Sequence, residues 1–93
     1  MIKSFSDKEL ERCWMFGRCE RIKQDLVKRI LRKLDILDAA TSLRDVYGTP
    51  GCRGHELTGQ RAGQYTIEVN GPWRIVFRFK EGDAYDVVLE QYH

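Results

Sequence analysis

The sequence predicts an α+β domain with two N-terminal helices packed on one face of an antiparallel β-meander. Three observations carry this. Apolar residues recur at helical spacing through residues 20–40. Three later runs, from Tyr65 onward, alternate apolar and polar residues. A glycine-punctuated stretch, residues 42–63, separates the two halves. With 93 residues, 42% apolar and 32% charged, residues 1–93 are expected to form one globular domain, since a second would have too little interior to stand alone.

The segment Met1 to Phe5 alternates enough to suggest a short strand. Ser6-Asp7-Lys8-Glu9 has the form of a capping box, with Ser6 as the cap and Glu9 reaching back to its amide. The first helix then buries Leu10, Trp14 and Cys13 and stops at Gly17. The second helix is expected from about Glu20 to Ala40, with Ile22, Leu26, Val27, Ile30, Leu31, Leu34 and Leu37 in one stripe. Arg21, Lys28, Arg29, Arg32 and Lys33 fall on its other faces and read as a solvated surface able to steer a polyanion. Residues 42–63 read as loop, with one short extended segment around Arg53 to Leu57.

The meander follows. Tyr65, Ile67 and Val69 alternate with Thr66 and Glu68, and Asn70-Gly71 signals a turn. Trp73, Ile75, Phe77 and Phe79 alternate with Arg74, Val76 and Arg78, and Glu81-Gly82-Asp83 signals another turn. Tyr85, Val87 and Leu89 alternate with Ala84, Asp86, Val88 and Glu90.

Net charge is only +2, so bulk charge does not announce a nucleic-acid binder. The distribution is uneven: 11 basic and 8 acidic residues over 1–47, 4 and 2 over 48–79, and 1 and 4 over 80–93. An anion-binding surface is therefore expected mainly before the last segment. No apolar run reaches the roughly 20 residues of a membrane span, and the N-terminus lacks the long apolar stretch of a secretory signal. Cys13, Cys19 and Cys52 are odd in number and lack CxxC spacing, so free thiols in a reducing cytoplasm are expected rather than a disulfide or a zinc site. No cofactor or metal is implied.

Period two puts Trp73, Ile75, Phe77 and Phe79 toward the helices and Arg74 and Arg78 on an open, basic face, roughly 13 Å apart along the strand. Both could contact phosphates of one strand; alternatively each pairs across the sheet with a carboxylate such as Glu68 or Asp86. Arg74, beside a turn, is the better placed for a ligand. The loop from His55 to Gly63 offers an imidazole, the guanidinium of Arg61, and glycines that let backbone approach a polyanion closely. His93 is the second of the two histidines.

These residues resemble the HigB toxins of type II toxin–antitoxin systems, in the RelE/ParE superfamily. The resemblance covers essentially the whole chain: Met1-Ile2-Lys3-Ser4-Phe5 at the start, Leu57-Thr58-Gly59-Gln60-Arg61-Ala62-Gly63-Gln64-Tyr65-Thr66-Ile67 as the central loop and strand, Trp73-Arg74-Ile75 as the "WRI" motif, and Gly82-Asp83-Ala84-Tyr85 with the closing Tyr92-His93. It implies a compact fold of two helices against an antiparallel sheet, and a cytoplasmic endoribonuclease that cleaves mRNA on the translating ribosome. It also implies a helix-turn-helix antitoxin partner of the HigA type, with a free toxin that is monomeric and joins a larger toxin–antitoxin complex.

In such an enzyme the ribose 2′-OH attacks the adjacent phosphate without a metal, a base takes the 2′ proton, an acid protonates the leaving 5′-oxygen, and cations stabilise the phosphorane. The resemblance assigns this chemistry to His55, Arg74, Tyr92 and His93, with Arg74 on the phosphate and Tyr92 stacking on a base or orienting the phosphate. Arg53, Arg61, Arg78 and Gln91 are expected along the RNA. Two departures stand out: Gln91 replaces the acidic residue that some members carry before the terminal Tyr-His, and Thr58 replaces a basic loop residue. A neutral Gln91 cannot act as a general base.

Two other function classes fit the same fold. One is a ParE-like protein that inhibits DNA gyrase by binding and cuts nothing; the other is an RNA-binding module without chemistry. The two histidines with Tyr92 and Arg74 favour the enzyme, and the modest net charge weighs against strong binding of free RNA.

Overall fold

The computed structural model describes residues 1–92. Its elements are helix α1 (Lys8–Phe16), helix α2 (Val27–Ala39), the short helix α3 (Leu43–Tyr47), and strands β1 (Gln64–Asn70), β2 (Trp73–Lys80) and β3 (Asp83–Gln91). The strands form an antiparallel sheet in the order β1-β2-β3, the expected meander. Both helices predicted from periodicity are present on one side of it. Among the described residues no helix is long and apolar enough to cross a membrane.

The core is the α2 stripe against the sheet. Leu26, Ile30, Leu34 and Leu37 are buried with Leu10 and Cys13 of α1 and with Ile67, Ile75, Phe77 and Val87 of the strands. Each fully buried Leu or Ile contributes about 1.5–3 kcal/mol of apolar transfer. Trp73 and Phe79 are partly buried against the same cluster, so the β2 face assignment holds.

Local details depart from the sequence expectation. The α1 cap is Asp7, not Ser6: the Asp7 carboxylate accepts from the amides of Glu9 and Leu10, both at 3.1 Å. Ser6 is drawn to β3, where its hydroxyl donates to the carbonyl of Asp86. The segment 1–5 makes only isolated parallel bridges, Ile2 with Ala84 and Phe5 with Val87, and so covers the β3 edge without forming a full strand. Residues 20–23 lie outside the second helix, which begins as a 3-10 turn over Gln24–Leu26. Helix α3 interrupts the stretch expected to be loop; Ser42 caps it by accepting from the amide of Asp45.

Both turns are tight. Asn70 pairs with Trp73, so the first loop is Gly71-Pro72 rather than Asn70-Gly71. In the second, Glu81 and Gly82 both have positive φ, 52° and 83°, as a right-twisted two-residue hairpin requires. The β2–β3 register shifts between Val76 and Arg78 because Asp86, at φ 52°, is bulged. The bulge reverses the expected alternation before it. Ala84 joins the core, while Tyr85 pairs with Arg78 on the opposite face.

The cysteines also differ from the expectation. Cys13 and Cys19 form a disulfide, with Cα atoms 4.3 Å apart, and only Cys52 is free, and buried. Gly17, in the left-handed conformation at φ 69°, turns the chain so that residue 19 comes back against the last turn of α1. Tertiary proximity created by this turn, rather than spacing in a motif, makes the pair.

Candidate active site

The site lies on the sheet face away from the helices, at the C-terminal end of β3. Its neighbours come from distant parts of the chain. Gln64 and Leu57 close the base of the 58–63 loop through the Leu57 amide and Gln64 carbonyl, at 2.8 Å. Gly59 and Gly63 take positive φ, 66° and 93°, and fold the loop into a 3-10 turn over Gly59–Arg61. This turn carries Arg61 over the sheet. Its Nε donates to Oε1 of Gln64 at 2.7 Å, and its Nη1 and Nη2 donate to the two carboxylate oxygens of Glu90 at 2.9 and 2.5 Å.

Arg74 faces Glu90 directly across the β2–β3 ladder. Its Nη2 donates to Glu90 Oε1 at 3.2 Å, and its guanidinium carbon lies 4.2 Å from the centre of the Tyr92 ring. The Tyr92 amide donates to the Pro72 carbonyl at 2.7 Å, which ties the end of the chain to the β1–β2 turn. Arg61, Arg74, Glu90, Gln91 and Tyr92 thus line one open depression of about 480 Å³. Arg61 holds the Glu90 carboxyl below the usual carboxylate range by hydrogen bonding, and Glu90 in turn raises the Arg61 guanidinium. The cluster sets two guanidinium groups against one carboxylate.

The sequence expectation of an open basic face is corrected here. A row crosses the sheet in which Arg53, Glu68, Arg74 and Glu90 stand opposite one another on successive strands, alternating in sign. Only 12% of the Arg74 side chain is exposed. Arg78 lies four residues along β2 and pairs with Asp86 at 3.8 Å, the carboxylate alternative raised from the sequence.

The structure brings Arg61, Arg74, Gln91 and Tyr92 together and holds His55, Arg53 and Arg78 apart from them. His55 and Arg53 sit on the short extended segment expected around 53–57, and the structure pairs it antiparallel with β1. The His55 amide donates to Thr66 Oγ1 at 3.2 Å, and its carbonyl accepts from the Thr66 amide at 3.0 Å. His55 therefore belongs to the row of Thr66, Val76 and Val88, with its backbone roughly 12 Å from that of Arg74 by strand spacing and rise. Gly54 permits this close pairing, since a Cβ there would lie 1.7 Å from the Thr66 carbonyl oxygen. His93 lies outside the described residues. Sequence reasoning missed Glu90 as a site residue. The available signal was its place opposite Arg74, on the next strand after one short turn, but the alternation of β3 did not distinguish it from a solvated acid.

This arrangement can bind and polarise an anion. Two guanidiniums converge on one point, and an aromatic ring beside them can stack on a base. A family model described as the RelE-like toxin of the type II toxin–antitoxin system HigB matches residues 3–93. The chain is similar to Endoribonuclease HigB of Proteus vulgaris, 37% identical over the full length of both proteins. It is also similar to Toxin HigB-1 of Vibrio cholerae, 34% identical over 97% of this chain and 96% of the relative. The fold is similar to that of a YoeB dimer from Staphylococcus aureus, with a TM-score of 0.52 at 15% identity over 99% of this chain and 94% of that one. With a family match spanning nearly every residue and two full-length relatives above 30% identity, the chain belongs to the HigB-like family of RelE-like toxins of type II toxin–antitoxin systems.

Proposed function

We propose that this toxin is an endoribonuclease that cleaves mRNA at the Arg61–Arg74–Tyr92 cluster. The observation that carries the reading is the convergence of Arg61 and Arg74 on one anion, Glu90, beside the face of Tyr92. The Proteus vulgaris relative is named as an endoribonuclease, which supports the same reading.

In this reaction the ribose 2′-oxygen attacks the adjacent phosphorus, the bond to the 5′-oxygen breaks, and a 2′,3′-cyclic phosphate remains. Arg74 stabilises the charge that accumulates on the non-bridging oxygens, and Arg61 binds the chain of phosphates beside it. Tyr92 stacks on a base and holds the phosphate over Arg74. His55 and His93 are the candidates for moving the protons, since an imidazole ring carries both a donor and an acceptor nitrogen. Gln91, and further out Arg53 and Arg78, contact the flanking RNA. The substrate is mRNA presented by the translating ribosome in the cytoplasm, and the partner that restrains the toxin is a HigA-like helix-turn-helix antitoxin. Residues 1–93 act as one toxin domain.

The test is primer-extension mapping of mRNA ends on translating ribosomes with the wild type, Arg74→Ala, His55→Ala and His93→Ala. Discrete cuts within codons, abolished by Arg74→Ala, are the expected result. Intact mRNA from a wild-type protein that still stops growth would overturn the reading and favour a bound target such as gyrase.

A further inference from the structure

We propose that Glu90 is a built-in anion occupying the phosphate seat of the cluster, which RNA must displace in order to bind. The inference rests on the reading of Arg61 and Arg74 as the phosphate site. Arg61 spends its Nε on Gln64 and both terminal nitrogens on the two oxygens of Glu90. A planar guanidinium holds one anion on that fork, so a phosphate cannot take it while Glu90 remains.

Arg74 is occupied differently. Its Nη2 reaches Glu90, while its Nε is buried with no hydrogen-bond partner among the described residues. A buried guanidinium N–H left unpaired is costly, and that cost is relieved by an acceptor that enters when the surroundings move. The Tyr92 ring lies over the same guanidinium, so it must shift to admit a phosphate. Glu90 has somewhere to go, because its side chain borders the open depression next to the exposed Gln91 and Tyr92. Its departure raises the charge facing the ligand from one net positive to two.

A self-occupied seat discriminates between ligands. A lone phosphate gains too little to break three hydrogen bonds to Glu90. An RNA strand that engages both arginines and stacks a base on Tyr92 gains enough. The resting toxin therefore ignores generic polyanions and accepts RNA held in register.

The test uses a 2′-O-methyl RNA tetranucleotide, which cannot be cleaved because the attacking hydroxyl is blocked. Glu90→Gln, which keeps the shape and removes the charge, is expected to bind it roughly five-fold more tightly than the wild type. In the wild type, saturation is expected to shift the NMR signals of the Glu90 carboxyl carbon and the Arg74 Nε–H. Equal or weaker binding by a folded Glu90→Gln overturns the proposal. So does an unmoved Glu90 carboxyl signal at saturation, which decides the matter if the variant fails to fold. Arg74→Ala separates the two readings. If it binds the tetranucleotide as well as the wild type, the phosphate site itself is misplaced and both fall. If it binds less well while Glu90→Gln gains nothing, only the displaced-anion proposal falls.

Discussion

The guanidinium of Arg74 lies over the ring of Tyr92, 4.2 Å from its centre, and the Tyr92 amide is hydrogen-bonded to the Pro72 carbonyl. The contact joins the start of β2 to the end of β3. It gives a partly buried cation an apolar cover without neutralising it, and it orients the aromatic ring beside the point where Arg61 and Arg74 converge on Glu90.

Arg74→Ala is expected to lower the rate of RNA cleavage by about 10²–10³, the usual cost of removing a donor to a developing oxyanion. Arg74→Lys should recover little, because a point charge cannot replace the fork and does not stack in the same way on Tyr92. Tyr92→Phe should be nearly neutral, whereas Tyr92→Ala should weaken RNA binding by about 1–3 kcal/mol. Single-turnover cleavage on ribosomes and binding of a blocked oligonucleotide measure the two effects.

Gly54→Ala should destabilise the fold and displace His55. The new Cβ would lie 1.7 Å from the Thr66 carbonyl oxygen, so the 53–57 segment must move off β1. The expected cost is about 1–3 kcal/mol, read as a fall in the thermal midpoint. An unchanged midpoint would mean that the segment is not held against β1 in solution.

Reduction of the Cys13–Cys19 bridge should lower stability by about 2 kcal/mol, the chain-entropy value for so short a loop. Cys13→Ser should cost more than Cys19→Ser, because residue 13 is 1% exposed and a hydroxyl there must be buried. Thiol titration checks the pairing: one reactive thiol in the denatured unreduced protein, three after reduction.

Tyr47 donates its hydroxyl to the Thr66 carbonyl at 2.9 Å, and burial, with Tyr65 adding to it, pushes its pKa from 10 up to about 12. The protonated form is the one the fold favours. Tyr47 therefore contributes stability that is fully present below pH 10 and is lost as the pH rises from 10 toward 12. Tyr47→Phe should cost about 1 kcal/mol at neutral pH. The stability difference between wild type and variant, followed by denaturant titration, should shrink across that alkaline window.

Asp7→Ala should cost about 1 kcal/mol of stability, and Ser6→Ala much less, because Asp7 caps α1. Equal losses in thermal unfolding would restore Ser6 to the cap position.

Much of this was legible in the sequence because it is local. The Leu26, Ile30, Leu34 and Leu37 spacing determined which face of α2 is buried. The β2 alternation determined that Ile75 and Phe77 turn inward and Arg74 turns away. Gly17 marked the end of α1, and Glu81-Gly82 a hairpin. Arg61, Arg74 and Tyr92 could be named as candidates from their motifs. The capping competition between Ser6 and Asp7 went the other way because β3, far along the chain, offered Ser6 a different partner. Likewise the bulge at Asp86 is a property of the β2–β3 register, and it alone decides that Tyr85 leaves the core face. Tertiary structure decided that Glu90 sits in the fork of Arg61, 29 residues earlier in the chain, and that Cys19 meets Cys13. Periodicity reports the face on which a residue lies. Which charges then meet on that face is fixed by strand register and by the path of the loop that crosses it.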